Sequence, residues 1–337
     1  MDTMISASGV WKIFGTNATQ VLKTHDRSKS RDEIQEQTGH VVAVKDVDFA
    51  VRRGECFVVM GLSGSGKSTL LRTLTRLIEP TGGSITIDGH DVRALNQREL
   101  RELRRSKVAM VFQHFGLFPH RSVIDNIAYG LEVRGLGKVK RTEKAAEILE
   151  LVGLAGWGER FPRELSGGMQ QRVGLARAMA MDPEILFFDE PFSALDPLIR
   201  REMQDELLDL QSKLQKTMVF ITHDFLEAIK MGDHIAIMKD GEIVQIGTPE
   251  EIVAAPVDDY VREFTEDVPR YKVLSVGKVM RPARKGLKPD GAIRANIKIE
   301  AAIAQVADTD QPLAVVNEAE EIVGEIDREI MMRAMTS

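Results

Sequence analysis

Between residues 56 and 77 the chain passes from an apolar segment through a glycine-rich turn into a second apolar segment. This stretch constrains the fold more than any other. Residues 57–60 read as a buried strand and residues 69–77 as a helix with apolar periodicity. Between them, Gly61-Leu62-Ser63-Gly64-Ser65-Gly66-Lys67-Ser68-Thr69 matches the phosphate-binding loop pattern G-x-x-x-x-G-K-[ST] in full. The glycines let backbone N–H groups turn inward around phosphate oxygens, and the following helix points its positive dipole end at them. Lys67 then reaches the outer phosphates, and the Ser68 hydroxyl is a candidate Mg²⁺ ligand.

Residues 184–190 supply the companion element. Four apolar residues, Ile185 to Phe188, make a buried strand that ends in Asp189 and Glu190. Asp189 is expected to hold Mg²⁺ through water, because that ion keeps much of its hydration. Glu190 is then placed to polarise a water attacking the γ-phosphate. By itself such a strand end reads as readily as a pair of solvated carboxylates. The loop of residues 61–69 is what gives it a chemical role.

Strand and helix patterns alternate over most of the chain, which predicts an α/β core. Residues 10–14, 41–51, 85–88, 108–112 and 219–222 read as strands, and residues 235–238 and 242–246 as a hairpin around Asp240-Gly241. Helices are expected over 91–107, which is rich in arginine with interleaved Glu99 and Glu102, and over much of 122–163. The β pattern breaks over residues 16–40. There Ser30-Arg31-Asp32-Glu33 fits a capping box and Gly39 a helix stop, so one or two short inserted helices are expected. At 337 residues, about two domains are expected. The division read from the pattern is a domain over 1–255, with the insertion at about 16–40 and a helical subdomain at about 91–175. A linker over 256–272 and a small unit over 273–337 follow. That unit reads strand, helix, strand, strand, helix.

Composition mainly excludes. A net charge of −6 gives no reason to expect a nucleic-acid partner, and the one cysteine, Cys56, cannot make an internal disulfide. The first fifteen residues lack the apolar core of a signal peptide, and the longest strongly apolar stretch, 56–62, is about a third of a membrane span. A cytoplasmic chain is expected, with any membrane role exercised through a partner.

Leu165-Ser166-Gly167-Gly168-Met169-Gln170-Gln171 narrows the reading. Here the sequence resembles the ATP-binding subunits of ABC transporters, whose signature is this Leu-Ser-Gly-Gly segment opening a helix. The resemblance covers about residues 5–255, and further motifs fall in the family's order. Gln113 matches the Q-loop, which contacts Mg²⁺ and senses the membrane partner. Ser193-Ala194-Leu195-Asp196 matches the D-loop, His223 the switch histidine, and Phe14 the aromatic that stacks on adenine. The resemblance implies a P-loop NTPase fold with a RecA-like core, an antiparallel β subdomain and a helical subdomain. It implies ATP and Mg²⁺ as cofactors, and a homodimer in which Ser166, Gly167 and Gly168 meet the γ-phosphate held by the other copy. Glu190, His223, Lys67 and Gln113 form the implied catalytic set. The segment Phe115 to His120 would dock a coupling helix of the transmembrane permease. A periplasmic or extracellular substrate-binding protein is an indirect partner, and the cytoplasmic face of the inner membrane is the implied location. Met169 stands where the commonest signature has Gln, and a thioether cannot replace an amide hydrogen bond, so it receives no nucleotide role.

Three features resemble one branch of the family, the importers of glycine betaine, proline betaine, choline or trimethylamine N-oxide. They are Val10-Trp11-Lys12-Ile13-Phe14-Gly15 ahead of the charged insertion, the Leu-Ser-Gly-Gly-Met-Gln-Gln-Arg signature, and the C-terminal unit, which is similar to a single CBS motif where relatives carry two. The alternative cargo is a polar amino acid or another nutrient. The ATPase does not touch the cargo, so no residue here reads it.

Overall fold

A computed structural model describes residues 2–113, 116–284 and 289–336. The chain divides into two compact units, Met1–Val244 and Gln245–Ser337.

The first unit opens with β1 (Thr3–Phe14), α1 (Ala18–Thr24), α2 (Arg31–Thr38), β2 (Val41–Arg52), β3 (Cys56–Met60) and α3 (Lys67–Leu74). It continues through β4 (Gly82–Ile87), β5 (His90–Asp91), α4 (Gln97–Ser106), β6 (Val108–Val111), α5 (Val123–Val133), α6 (Lys138–Leu151) and α7 (Gly167–Met179). It closes with β7 (Ile185–Asp189), α8 (Pro197–Leu214), β8 (Thr217–Thr222), α9 (Phe225–Met231), β9 (His234–Lys239) and β10 (Glu242–Gly247), the last of which spans the division.

Two sheets carry this unit. One has the order β2-β1-β4-β5 and the other β10-β9-β3-β8-β7-β6. In the second, β3, β6, β7, β8 and β9 pair in parallel. Every residue of β3, β7 and β8 is buried, as expected of parallel strands covered on both faces. In the first sheet β1 pairs antiparallel with β2 and β4, and β2 alternates buried and exposed positions along much of its length. A separate core forms from α5, α6 and α7, around Ile127, Leu131, Leu149 and Val173.

The insertion folds as two helices between β1 and β2. Ser30 Oγ accepts from Glu33 N at 3.2 Å, and Glu33 Oε2 accepts from Ser30 N at 2.8 Å, so the expected capping box closes. Gly39 ends α2 at φ +70°. Leu22 and Ile34 bury themselves against Trp11, Ile13 and Val42, which fastens the insertion to the sheet.

Some boundaries differ from expectation. The helix expected over 91–107 begins at Gln97, because His90 and Asp91 pair with Ile87 and Thr86 and because Asn96 caps the helix. Its basic face is only partly solvated: Arg104 donates to the carbonyls of Thr75 and Arg76, and Arg105 to that of Val133. The helix expected over 69–77 runs Lys67–Leu74, and the chain breaks it by turning through Arg76 at φ +54°.

In the second unit, α10 (Pro249–Ala254), α11 (Asp259–Thr265), α12 (Arg270–Val273) and α13 (Val276–Val279) precede β11 (Ala292–Arg294) and α14 (Ile299–Ala307). Then come β12 (Leu313–Val316), β13 (Ile322–Ile326) and α15 (Arg328–Thr336). The sheet order is β11-β12-β13, parallel then antiparallel. The order expected of residues 273–337 appears as β11, α14, β12, β13 and α15, with the short helix α13 ahead of it. Ser275 N donates to Glu250 Oε1 and Val276 N to Ile297 O, so a single bridge to Lys298 forms instead of a ladder.

Candidate nucleotide site

The carboxyl ends of β3, β7 and β8 lie side by side. Met60 pairs with Thr222 and Asp189 with Ile221, so Gly61, Glu190 and His223 emerge along one sheet edge. In open α/β sheets that edge is where ligands bind. On the far side of β7, Val111 of β6 pairs with Phe188, and Gln113 follows Val111 by two residues as Glu190 follows Phe188.

The loop from Gly61 to Gly66 depends on two glycines. A Cβ on Gly61, at φ +153°, would stand 2.1 Å from Met238 O, and one on Gly66, at φ +105°, would stand 2.1 Å from Ala43 O. Neighbouring backbone therefore excludes any side chain at both positions. Leu62, Ser63 and Gly64 are exposed at the tip, whereas Ser65 and Lys67 are buried. Lys67 Nζ donates to Gly61 O at 2.8 Å and Leu62 O at 3.0 Å. Burial pushes the Lys67 ammonium below the usual lysine range, with Glu190 and Asp189 pulling it back up. Gly66 caps α3 without a side-chain bond, which leaves the first N–H groups of that helix for an anion.

Ser68 Oγ, on the first turn of α3, donates to Asp189 Oδ1 at 2.7 Å. These are two of the three oxygen ligands expected for Mg²⁺, and they already touch. Arg72 donates to Asp189 Oδ2 at 3.2 Å. Arg72 was not among the residues singled out from the sequence, although its position four residues beyond Ser68 places both on one helix face.

Glu190 has φ +47°, a left-handed backbone that costs a non-glycine residue roughly 1–3 kcal/mol. Its N–H donates to Ile221 O at 3.1 Å, and its carbonyl accepts from Ser193 Oγ at 3.0 Å. These bonds hold the residue in that conformation, and its carboxylate leaves the strand end toward His223. Glu190 Oε2 accepts from His223 Nδ1 at 3.0 Å. The expected base and the expected switch histidine are thus brought together.

Phe14 ends β1 with 42 % of its surface exposed, and Lys12 Nζ lies 4.7 Å from its ring centroid. Ser166 caps α7, its Oγ accepting from Met169 N at 3.3 Å. Gly167 is exposed, while Gly168 packs so closely on Ile199 that a Cβ would meet Ile199 Cγ2 at 2.5 Å. A cavity of about 320 Å³ opens beside Ser166, Gly168, Met169 and Trp157. Among the described residues, no hydrogen bond or ion pair joins Ser166, Gly167 or Gly168 to the loop of residues 61–66, Asp189, Glu190 or His223.

Asp196 caps α8, its Oδ1 accepting from Ile199 N at 3.2 Å. Behind it stands a group the sequence did not reveal. Arg200 donates to Leu195 O at 3.2 Å and lies 3.5 Å from Asp224 Oδ2, next to His223. Gln204 donates to Glu227 Oε1 at 3.0 Å, and burial pushes the Glu227 carboxyl up. The four-residue spacing of Arg200 and Gln204 puts them on one face of α8, but nothing local says what that face meets.

Gln113 is half-buried. His114 and Phe115, part of the segment expected to meet a coupling helix, lie outside the described residues. The rest of that segment divides between core and surface. Leu117 packs on the α5–α7 core, the Phe118 ring lies 4.6 Å from Tyr129, and Pro119 and His120 are exposed. Asn126 holds both the N–H and the carbonyl of Phe118, and Arg177 of α7 donates to Gly116 O at 2.7 Å.

Residues 44–193 match the family model described as ABC transporter. The trimethylamine N-oxide transport system ATP-binding protein of Ruegeria pomeroyi is 50 % identical over 327 residues, covering 97 % of this chain and 95 % of the relative. The glycine betaine/proline betaine transport system ATP-binding protein of Salmonella typhimurium is 52 % identical over 287 residues, covering 85 % of this chain and 72 % of the relative. Among solved structures, a dimeric ATP-binding cassette in a post-hydrolysis state bound to ADP and Pi shares 31 % identity at a TM-score of 0.61, over 73 % of this chain and 99 % of that one. With relatives 50 % and 52 % identical over 97 % and 85 % of its length, the chain belongs to the ABC transporter family of ATP-hydrolysing transport proteins.

Proposed function

We propose that two copies of this chain close head to tail around two ATP molecules and drive a membrane importer of methylated amines. The convergence of Gly61, Asp189, Glu190 and His223 on one edge, with Ser166–Gly168 unconnected to it, carries the reading. In it, backbone N–H groups of residues 61–66 and the start of α3 hold the phosphates, and Lys67 balances charge as it develops on them. Phe14 stacks on adenine. Glu190 takes a proton from the attacking water, and His223 orients Glu190 and the γ-phosphate. Ser166, Gly167, Gly168 and Asp196 of the second copy complete the site.

Ser68, Asp189 and Gln113 offer oxygen donors, the set that a hard cation such as Mg²⁺ takes together with phosphate oxygens. When bound, that ion would neutralise phosphate charge.

The described residues contain no helix long and apolar enough to cross a membrane. Transport then requires permease subunits, which residues 113–120 would meet. The cargo reading rests on the relatives. Those named for trimethylamine N-oxide and glycine betaine transport reach 50 % identity or more over at least 83 % of this chain. A Rhizobium etli protein named for Fe(3+) import reaches 46 % over 68 %. The β11–β13 sheet with α14 and α15 supports reading residues 273–337 as a single CBS-like unit.

The test is the chain assembled with its permease and binding protein in vesicles. ATP hydrolysis should rise on adding trimethylamine N-oxide, glycine betaine or choline. Stimulation by ferric iron or a polar amino acid, and by none of these amines, would overturn the cargo reading.

A further inference from the structure

The insertion reaches the phosphate loop. Arg31, the first residue of α2, donates from Nη1 to Gly64 O at 3.1 Å, and its Nη2 lies 2.9 Å from Asp240 Oδ1 in the β9–β10 turn. The same turn holds the neighbouring carbonyl, because Gly241 N donates to Ser65 O at 3.0 Å. Gly241 O in turn accepts from Lys45 N at 2.8 Å, at the first residues beyond the insertion in β2. Two consecutive carbonyls of the loop are therefore gripped from outside.

The consequence follows from peptide planarity. In a trans peptide the carbonyl and the next N–H point in opposite directions. Holding Gly64 O and Ser65 O outward turns the N–H groups of Ser65 and Gly66 toward the loop's concave side. Ser65 N already points across it, donating to Leu62 O at 3.2 Å. The insertion is built to hold that position. Its helix is capped at Ser30 and stopped at Gly39, it is anchored through Ile34, and it is closed at its base where His40 Nε2 lies 2.6 Å from Thr16 O.

We infer that Arg31 is a positioning residue for nucleotide binding: it links α2 to the Gly64 carbonyl and Asp240, and so presets the loop's N–H groups before phosphate arrives. This rests on the proposed role of residues 61–69. The arginine touches no reacting atom. Its contribution therefore falls on affinity rather than on the chemical step.

The experiment uses the full chain and reads ATP binding at equilibrium and steady-state hydrolysis. Arg31→Ala should weaken ATP binding and raise KM by about 5- to 10-fold, with kcat within about twofold, the scale of one ordinary hydrogen bond lost. Arg31→Lys, which keeps the charge but cannot span both partners, should fall between Arg31→Ala and the parent. Ser30→Ala loosens the cap of α2 but keeps the arginine, so it should raise KM by clearly less than Arg31→Ala does. Unaltered affinity in Arg31→Ala overturns the inference, as does an equal KM rise in Ser30→Ala, which would mark a merely structural insertion. Lys67→Ala separates the two readings. Binding lost in Lys67→Ala but intact in Arg31→Ala defeats this inference alone. Binding intact in both defeats the site as well.

Discussion

Two helices of this chain begin at segments suited to phosphate, and they are differently furnished. At α3 the cap is Gly66, with no side chain to satisfy the first N–H groups, and Lys67, Asp189, Glu190 and His223 stand around it. At α7 the cap is Ser166, whose own Oγ accepts from Met169 N, and its surroundings are Trp157, Met169 and Ile199. The first end carries acid–base and charge-balancing groups. The second offers hydrogen bonds and a partly apolar wall. Under the proposed function one terminus reacts and the other recognises, the asymmetry that a site shared between two copies would use.

The strongest way to break this comparison is at Glu190. Glu190→Gln keeps the shape of the side chain and removes its basicity. It should lower kcat by about 10²- to 10³-fold while ATP binding persists, a result typical of losing a general base. Hydrolysis near the parent rate in single-turnover assays would remove Glu190 from the chemistry.

Mixing variants sharpens the division between the two helix ends. Ser166→Arg blocks the recognising end and Lys67→Ala disables the reacting end, so each homodimer should be nearly inactive. Half of the randomly assorted dimers then hold one intact site, and the mixture should recover up to about a quarter of the parent activity. No recovery, despite confirmed heterodimers, would place both ends in the same copy's site.

The smallest effect concerns stability. Burial raises the folded-state pKa of Glu227 above its ordinary value of 4.5, so the folded chain favours the protonated form. Its contribution to stability is full below that ordinary value and is lost as pH rises through the raised one. Glu227→Gln keeps an acceptor for Gln204 and removes the charge. It should raise the unfolding midpoint by about one to a few degrees near neutral pH, and the gain should vanish toward about pH 4. A gain of the same size at both pH values would mean that burial of the charge is not its source.

How much was legible in advance depended on the range of the interaction. The capping box of Ser30 and Glu33 spans three residues, and the hairpin at Asp240-Gly241 spans two. Both formed as read. The start of α4 was misplaced because the pairing of His90 with Ile87 competes with helix, and only a sheet already in place decides that contest. Arg72 was within reach of helical spacing from Ser68. Arg200 and Gln204 were not, since their partners Asp224 and Glu227 sit on a helix that follows a different strand.

Local sequence was enough to recognise the phosphate-loop pattern, because Gly61 to Thr69 is a local solution: glycines where backbone crowds, a lysine and a hydroxyl at fixed spacing, and a helix at once. It also determined that two carboxylates end a buried strand. Tertiary structure alone decided which residues meet at that edge. Parallel pairing in register put Asp189 beside Ile221, and thereby Glu190 against His223. The same long-range packing carried Arg31 onto Gly64, 33 positions away, and onto Asp240 in a distant turn. Local propensity cannot encode such contacts, because their geometry exists only once both sheets have formed.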